Sequence, residues 1–406
     1  MRIKILLLSA IVLCAMTAMQ AQNNNPKTNM TKQSTNCVRA MNDFAFHLFR
    51  NICPKEGSNQ NFVYSPMSAY LLLGMLANGA DGATLHELTT LTGVPLDTLN
   101  MHCQQLMHEF NDMQTPCLQT ASYLAVNKHI TLLHNYKALT AQHFFAEAAT
   151  INFAKKESLN KINNWCKKMT RGLIPVILNE LTPDMLAVLM NAVYFKGEWI
   201  TTFDENLTKE RNFTCENGMT KKLKQMLKRN NNTKFLFAEN DSCQMLRLPY
   251  KGNNDFHMTI LLPREGNTTS EMMKTMTADK WQAMKRAMRW EIVYITMPVF
   301  SIENRIKLKE PMKALGMKTS FSGSANFSKM ANTPLKIDDM FQKARIEVNE
   351  TGTEAAAVTA AVMVRGAAIN APKPVIYHFT ADHPFLYTIE DGKNGNIVFM
   401  GEFRGE

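Results

Sequence analysis

Cysteine is scarce in this chain, and the few cysteines follow no recognisable spacing. There are 8 in 406 residues, and no CxxC pair is among them. Seven lie beyond the apolar N-terminal segment. An odd number without paired spacing argues against a disulfide framework and against a zinc ribbon. We therefore expect most of these cysteines to be small buried hydrophobic residues.

Catalytic and nucleotide-binding motifs are also missing. There is no GxSxG, P-loop or GxGxxG, and His86-Glu87 lacks the second histidine of a zincin motif. Ser65 has no elbow glycines and is better explained as a helix N-cap. Asp382 and His383 are adjacent, and adjacent side chains on a strand point to opposite faces, which is poor geometry for a dyad. The sequence therefore predicts that the protein is not an enzyme and uses no metal or cofactor.

No apolar run after the N-terminal segment is long enough to span a membrane. Two cations precede an apolar run and then small residues, so residues 1–21 are predicted to be a secretory signal peptide, too short for a membrane span. Leu13 is large where a lipobox needs a small residue, which disfavours lipid attachment at Cys14. Residues 22–37 are polar and aperiodic and predict a disordered leader.

The predicted signal peptide implies that the protein is exported, and no membrane span is expected in the mature chain. The short signal peptide and the cysteine-poor body favour a bacterial source. In that case the mature protein would lie in the periplasm, on the cell surface or in the medium.

Acidic residues are fewer than basic ones, and the chain has a formal net charge of +10. The main basic cluster is at residues 220–234, and no aromatic residue interleaves it. A solvated hairpin is therefore favoured over a polyanion site, which stays open as the alternative. No nucleic-acid partner is expected.

Helical patterns come first in the chain, and strand patterns follow. Apolar residues recur at helical spacing in 38–52, 96–113 and 158–173, and an apolar helix is predicted after Ser65 and Pro66. A short helix at 308–317 interrupts the later strands. The predicted strands are 185–199, 255–263, 290–303, 344–350 and 396–403. This order favours a single α+β domain over residues 38–406.

One segment, residues 350–374, fits neither a docked helix nor an ordinary core strand. It lacks an amphipathic stripe, and its alternate residues from Thr353 to Ala361 are all small and uncharged. In a strand these residues share one face, so the segment could enter a packed sheet. Unpaired, it would expose Arg365-Gly366 to proteases.

Five motifs in this order resemble the serpin family, and the similarity extends from Val38 to Phe403. The most specific is FTADHPFLYTI at residues 379–389. The others are NFVYSPMSA (61–69), NAVYFKGEW (191–199), FSGSANFS (321–328) and EVNETGTEAAAVTA (347–360).

The resemblance implies a fold and a mechanism. The fold has helices packed around a large central β-sheet plus two smaller sheets, with an exposed reactive-centre loop at about 350–374. The implied function is suicide inhibition of a serine protease by a monomer: the cut loop inserts into the central sheet and a covalent complex forms. Cross-inhibition of cysteine proteases is possible within the family. The alternative is a non-inhibitory serpin-fold binding or carrier protein.

The resemblance also assigns residue roles. The hinge comprises Glu350, Gly352, Thr353, Glu354, Ala355, Ala356, Ala357, Val358, Thr359, Ala360 and Ala361. The sheet-opening cluster comprises Ser65, Ser68, Asn191, Trp199 and Gln342. Relatives often have His in place of Gln342, and a cation opposite the hinge glutamate where this chain has Val299.

The reactive bond is expected at Arg365-Gly366, or one residue later at Gly366-Ala367. An arginine on the amino side of the cleaved bond suits the acidic pocket of a trypsin-like protease. A small residue in that position suits an elastase-like protease.

Overall fold

The computed structural model describes residues 26–111, 117–252, 256–353 and 374–406. The predicted signal peptide, residues 1–21, lies outside the described residues, as does most of the predicted reactive-centre loop, residues 354–373.

Helices dominate the first part of the chain. Their bounds are α1 Pro26–Ile52, α2 Pro66–Gly79, α3 Gly82–Thr92, α4 Leu96–Asn111, α5 His134–Phe144, α6 Lys156–Met169, α7 Thr269–Lys274, α8 Ala278–Ala287 and α9 Lys309–Ala314. Every residue of α2 is buried. As predicted, α2 begins with a Ser65 cap, whose Oγ accepts from the Ser68 amide at 3.2 Å, and with Pro66 in the first turn.

Helix α1 begins earlier than predicted. It starts at Pro26, so residues 26–37, which were expected to be disordered, are helical. Phe44 and Leu48 are buried and anchor the later part of α1 in the core. Adding turns to a helix that is already nucleated costs little free energy. Proline is also compatible with the first turn, because its missing N–H would have no partner there.

The strands form two sheets within the described part of the chain, which gives the expected α+β class. Hydrogen bonding joins the two smaller sheets implied by the resemblance into one ten-stranded sheet. The other sheet has six strands.

The strand bounds are β1 Phe62–Tyr64, β2 Cys117–Asn127, β3 Glu147–Ile151, β4 Ala187–Glu198, β5 Lys209–Thr214, β6 Thr220–Lys228, β7 Lys234–Glu239, β8 Cys243–Pro249, β9 His257–Pro263, β10 Arg289–Pro298, β11 Phe300–Lys307, β12 Asp339–Val348, β13 Gly352–Thr353, β14 Ile376–Thr380, β15 Phe385–Glu390 and β16 Ile397–Phe403. The ten-stranded sheet has the order β1-β16-β15-β9-β8-β7-β10-β6-β5, and β14 pairs with β10. The six-stranded sheet has the order β11-β12-β13-β4-β2-β3. The single strand predicted at 290–303 is in fact two, since β10 ends at Pro298 and β11 continues in the other sheet.

Two apolar clusters hold the layers together. The larger lies beneath the core-facing side of the six-stranded sheet and includes α2 and the ten-stranded sheet. The smaller lies between the other side of the six-stranded sheet and α6, with Tyr123, Ile162, Met190 and Phe341 among its members. The six cysteines with described side chains are free, and all but Cys53 are buried, as expected.

Candidate functional site

The site is built at the seam between β4 and β12, the two parallel strands in the middle of the six-stranded sheet. They pair directly from Val188 opposite Asp339 to Tyr194 opposite Arg345. Beyond that point β13 lies between them and is antiparallel to both. Thr353 is opposite Gly197 on β4 and Val348 on β12. The seam is therefore closed along most of its length and occupied at one end by the first two strand residues of the hinge.

A tight turn delivers β13 to this position. The Asn349 carboxamide oxygen accepts from the amides of Thr351 and Gly352, at 3.0 and 3.1 Å. Gly352 then passes so close to β4 that an added Cβ would lie 2.1 Å from the Gly197 carbonyl oxygen. Only glycine fits this approach without moving the backbone.

Thr353 is anchored by two aromatic residues. Its side chain is 0% exposed, and its hydroxyl lies 2.7 Å from the Tyr250 hydroxyl. Tyr250 stacks on Trp199 with ring centroids 4.4 Å apart, and Trp199 Nε1 donates to the Asn349 carbonyl at 2.9 Å. Burial raises the pKa of Tyr250, so its hydroxyl stays protonated. Trp199 thus contacts the segment that leads into β13, and its role at the point of first insertion stays a prediction. Tyr250 was not predicted, because no local pattern in the sequence signals this long-range contact.

Glu350 is held without a cation. Its carboxylate accepts from the Thr208 hydroxyl at 2.5 Å, and its carbonyl accepts from the Phe203 amide at 2.8 Å. Glu350 has no ion pair within the described part of the chain. A neutral hydroxyl donor therefore holds its carboxylate at the start of the hinge.

A cavity of 540 Å³ lies beside the hinge, with Thr351, Phe203 and Lys228 in its wall. The Lys228 ammonium donates to the Thr202 carbonyl. Burial lowers the pKa of Lys228 to about 8, although nearby Asp204 opposes the shift. Lys228 thus binds Thr202, the residue before Phe203, and the Phe203 amide in turn donates to Glu350.

The sheet-opening cluster lies on the core-facing side of the seam. Gln342 on β12 is bidentate to the Ser65 backbone: its Oε1 accepts from the Ser65 amide at 2.9 Å, and its Nε2 donates to the Ser65 carbonyl at 2.8 Å. Asn191 on β4 lies directly opposite Gln342 but donates away from it, to Thr120 at 2.9 Å and Ser122 at 3.1 Å.

This arrangement divides the cluster into two halves. Gln342 and Ser65 belong to the β12 half, whereas Asn191 and Thr120 belong to the β4 half. The hydroxyl contact between Ser68 and Thr120, at 3.2 Å, is the side-chain hydrogen bond that joins the halves among the described residues. Parting β4 from β12 at this level therefore breaks the backbone pairing of the two strands and one neutral side-chain contact. Thr120 and Ser122 were not predicted, although their alternation on β2 places them on one face.

The Asn191 carboxamide oxygen is the unusual atom of the cluster. It is buried and accepts no hydrogen bond from the described residues. Buried acceptors are normally paired. The cluster thus contains an acceptor at the seam that a further donor could satisfy.

On its other face the seam is crossed by the α6 strap, residues 156–178. On the β2 side, Trp165 of α6 packs edge-on against Tyr123, with centroids 4.8 Å apart. On the β12 side, Lys343 Nζ donates to the Val176 carbonyl at 3.0 Å, and Arg305 of β11 donates to the Ile177 carbonyl at 2.9 Å. Widening the seam must therefore loosen the strap.

Asp382 and His383 contact each other, which corrects the expectation that they face apart. They follow β14 in an irregular segment, where strand alternation does not apply. His383 Nδ1 lies 2.8 Å from the Asp382 carboxylate, and Nε2 lies 2.8 Å from the Pro263 carbonyl, which can only accept. Burial opposes the charged imidazole, but these hydrogen bonds outweigh it and raise the pKa of His383. Both ring nitrogens are engaged, so this pair is a structural link and lacks the open nitrogen of a general base.

Several predicted site residues lie outside the described residues. They are Glu354, Ala355, Ala356, Ala357, Val358, Thr359, Ala360, Ala361, Arg365, Gly366 and Ala367. The basic cluster at 220–234 lies on β6 and the turn after it, and Lys221, Lys222 and Lys224 are exposed there. No group of three or more potential metal ligands occurs in residues 26–111, 117–252, 256–353 and 374–406. None of the helices in those ranges is both long and apolar enough to cross a bilayer.

The fold places Gly352 and Thr353 as a short strand between β12 and β4 of the six-stranded sheet. A family model described as "Serpin (serine protease inhibitor)" matches residues 39–405. Iripin-2 of Ixodes ricinus is 32% identical over 384 residues, covering 91% of this chain and 94% of that protein. Serpin B6 of Pongo abelii is 32% identical over 378 residues, covering 90% and 98%. The native-state structure of the thermophilic serpin tengpin matches with a TM-score of 0.82 and 28% identity, covering 91% and 94%.

The chain therefore belongs to the serpin family. Members of this family are generally protease inhibitors rather than catalysts.

Proposed function

We propose that the protein is a suicide inhibitor of a serine protease of trypsin-like or elastase-like specificity. The observation that carries this proposal is β13: Gly352 and Thr353 already pair as a strand between β12 and β4. A segment that begins inside the seam can lengthen there without a change of register. Its residues out to Ala361 offer only small, uncharged side chains to the core-facing side.

The first step is ordinary acyl transfer. The protease serine Oγ attacks the carbonyl carbon of Arg365, or of Gly366 in the alternative. The peptide C–N bond breaks, and the new amino terminus of the following residue leaves with a proton. An ester then joins the protease to the upstream part of the loop, and the cut frees this part to move.

The second step extends β13. Antiparallel pairing moves one residue back on each neighbour for every residue added. Thr353 faces Gly197 and Val348, so Thr359 falls opposite both Asn191 and Gln342, which face each other at present. The Thr359 hydroxyl would then supply a donor at the unpaired Asn191 oxygen. Arg365 lies twelve positions after Thr353, so insertion carries the ester about 40 Å along the sheet.

Inhibition depends on the rate of loop insertion relative to the rate of ester hydrolysis. The protease is trapped only if the loop inserts before water hydrolyses the ester. Small core-facing residues and a seam joined by one neutral side-chain contact favour fast insertion, whereas the α6 strap slows it. A non-inhibitory binding protein would need a loop that stays out of the seam.

The test is to mix the mature protein with trypsin and, separately, with neutrophil elastase. Denaturing gels and mass spectrometry of the released C-terminal peptide then follow. A denaturant-stable band of protein plus protease is expected, and the first residue of the peptide should be Gly366 or Ala367. Cleavage without that band would contradict the inhibitor proposal for these proteases and favour a substrate or carrier.

We also infer that the protein is exported as a monomer after removal of residues 1–21. The support is the charged, apolar and small-residue order of that segment. N-terminal sequencing of protein from the medium or periplasm should give a first residue close to Gln22. Retention of Met1 in the exported fraction would contradict this.

A further inference from the structure

The cavity beside the hinge has the size and the lining of a small-molecule site. We call it the hinge cavity. Its volume of 540 Å³ falls within the range of about 300–1,000 Å³ that small-ligand pockets occupy. Phe203, Leu207 and Leu227 supply its apolar surface, and Thr351, which leads into β13, also lies in its wall. Loop insertion between β4 and β12 makes no use of this space.

Lys228, the last residue of β6, is a half-buried cation in the wall of the hinge cavity. Its ammonium donates to the Thr202 carbonyl and lies 6.0 Å from the centroid of the Phe203 ring. It forms no ion pair with any residue that the structure describes. A cation that is withdrawn from water is normally paired with a carboxylate. An anionic group in the cavity would therefore stabilise the charged form of Lys228.

A second part of the wall is acidic. The single 3₁₀ turn Glu205–Leu207 lines the cavity, and Asp204 caps it by accepting from the Asn206 amide at 3.0 Å. Glu205 is exposed, and within the described ranges it forms no ion pair. These two carboxylates are therefore available to a cationic group of a ligand.

The other charges of the lining cancel each other. Lys251 and Glu198 form an ion pair at 2.9 Å. The lining then retains two basic residues, Lys228 and Arg229, and the acidic pair at 204 and 205. A ligand with charge of a single sign would be repelled by one of these sets, whereas a zwitterion is complementary to both.

We propose that the hinge cavity binds a small zwitterion, an amino acid or dipeptide with apolar side chains, whose carboxylate pairs with Lys228 and whose ammonium pairs with Glu205. The apolar side chains would pack on Phe203 and Leu227. This inference goes beyond protease trapping, because it concerns a ligand of the uncut protein and requires no protease.

The test is calorimetric titration of leucyl-leucine into the uncut protein at about pH 6.5, where both ends of the dipeptide are charged. A ligand of this size, at ordinary efficiency per atom, should bind with a dissociation constant of about 0.2 mM. N-acetyl-leucyl-leucine lacks the ammonium, and leucyl-leucine amide lacks the carboxylate. Each should bind about tenfold more weakly or worse.

Variants locate the site within the molecule. Lys228→Met and Glu205→Gln should each weaken binding of leucyl-leucine about tenfold or more. The matched controls are Lys224→Met on β6 and Glu210→Gln on β5, both at exposed positions, and they should bind as the wild-type protein does. Glu205 is also exposed, so Glu205→Gln tests the site even where Lys228→Met disturbs folding.

Three results would overturn the inference. They are no saturable binding of leucyl-leucine below about 10 mM, equal binding of all three ligands, and unchanged binding by both Lys228→Met and Glu205→Gln. Binding of the N-acetyl form as tight as that of the free dipeptide would also overturn it and would reassign the cavity to a simple anion. A protein that traps proteases but binds no dipeptide fails this inference alone, and one that binds the dipeptide but traps no protease fails the proposed function alone.

Discussion

Replacing Thr359 by valine tests the predicted register of loop insertion at a single atom. Valine has nearly the shape of threonine but cannot donate a hydrogen bond. In the inserted strand the residue at 359 falls between Asn191 and Gln342, next to the buried Asn191 oxygen that lacks a donor. Leaving that acceptor unpaired costs about 1–3 kcal/mol.

The expected effect is confined to the cleaved protein. Cleaved Thr359→Val should be about 1–3 kcal/mol less stable than cleaved wild-type protein. The uncleaved forms should agree within about 0.5 kcal/mol, because the Asn191 oxygen has no donor among the described residues of the uncleaved chain. Guanidinium unfolding of cleaved and uncleaved samples measures both differences.

Two further variants make the result specific. Thr359→Ser keeps the hydroxyl and should retain most of the stability of the cleaved form. In an Asn191→Ala background, Thr359→Val should have little further effect, since the acceptor has been removed. If valine costs the same with and without Asn191, or costs nothing, residue 359 does not meet Asn191 and the register is wrong.

Three other predictions concern the hinge, the strap and a histidine. Gly352→Ala places a Cβ 2.1 Å from the Gly197 carbonyl oxygen and should lower the free energy of unfolding by about 1–3 kcal/mol, with faster proteolysis near the hinge. Lys343→Met removes the donor to Val176, so the limiting rate of protease trapping should rise in stopped-flow measurements. The pKa of His383 is raised in the folded protein, so its stabilising contribution is present below about pH 6.5 and is lost as pH rises through the raised value. His383→Gln should therefore lower the Tm more at pH 5.5 than at about pH 8.5.

Matched controls exist for each of these variants. Gly323 has open space around its Cβ position, so Gly323→Ala should leave the stability almost unchanged. Lys318 and His86 are exposed, and Lys318→Met and His86→Gln should change neither the trapping rate nor the pH dependence of the Tm. A Gly352→Ala protein as stable as wild type, a slower Lys343→Met protein, or a His383→Gln effect that grows with pH would each contradict the corresponding structural reason.

Local signals in the sequence were sufficient for many elements. The Ser65 cap with Pro66 marked the start of α2, and a long apolar run marked β4. The family motifs singled out Gln342, which lies on β12 opposite Asn191, and Trp199, which donates to Asn349 beside β13. Their roles in loop insertion stay predictions.

Other features depend on pairing between distant parts of the chain. Tyr250 and Thr120 join the site through contacts more than 50 residues away in sequence, and nothing in their neighbourhood signals this. The start of α1 was missed because polar residues extend a nucleated helix without an apolar pattern. Asp382 and His383 were assigned to opposite faces because a strand was assumed where β14 had already ended.

The measurement closest to the central claim is hydrogen–deuterium exchange of residues 354–361 before and after cleavage of the loop. Insertion between β4 and β12 gives these amides partners in the interior of a sheet. Their exchange should slow by several orders of magnitude in the cleaved protein, while β4 and β12 stay protected. Amides of 354–361 that exchange equally fast before and after cleavage would contradict insertion, and with it the trapping mechanism.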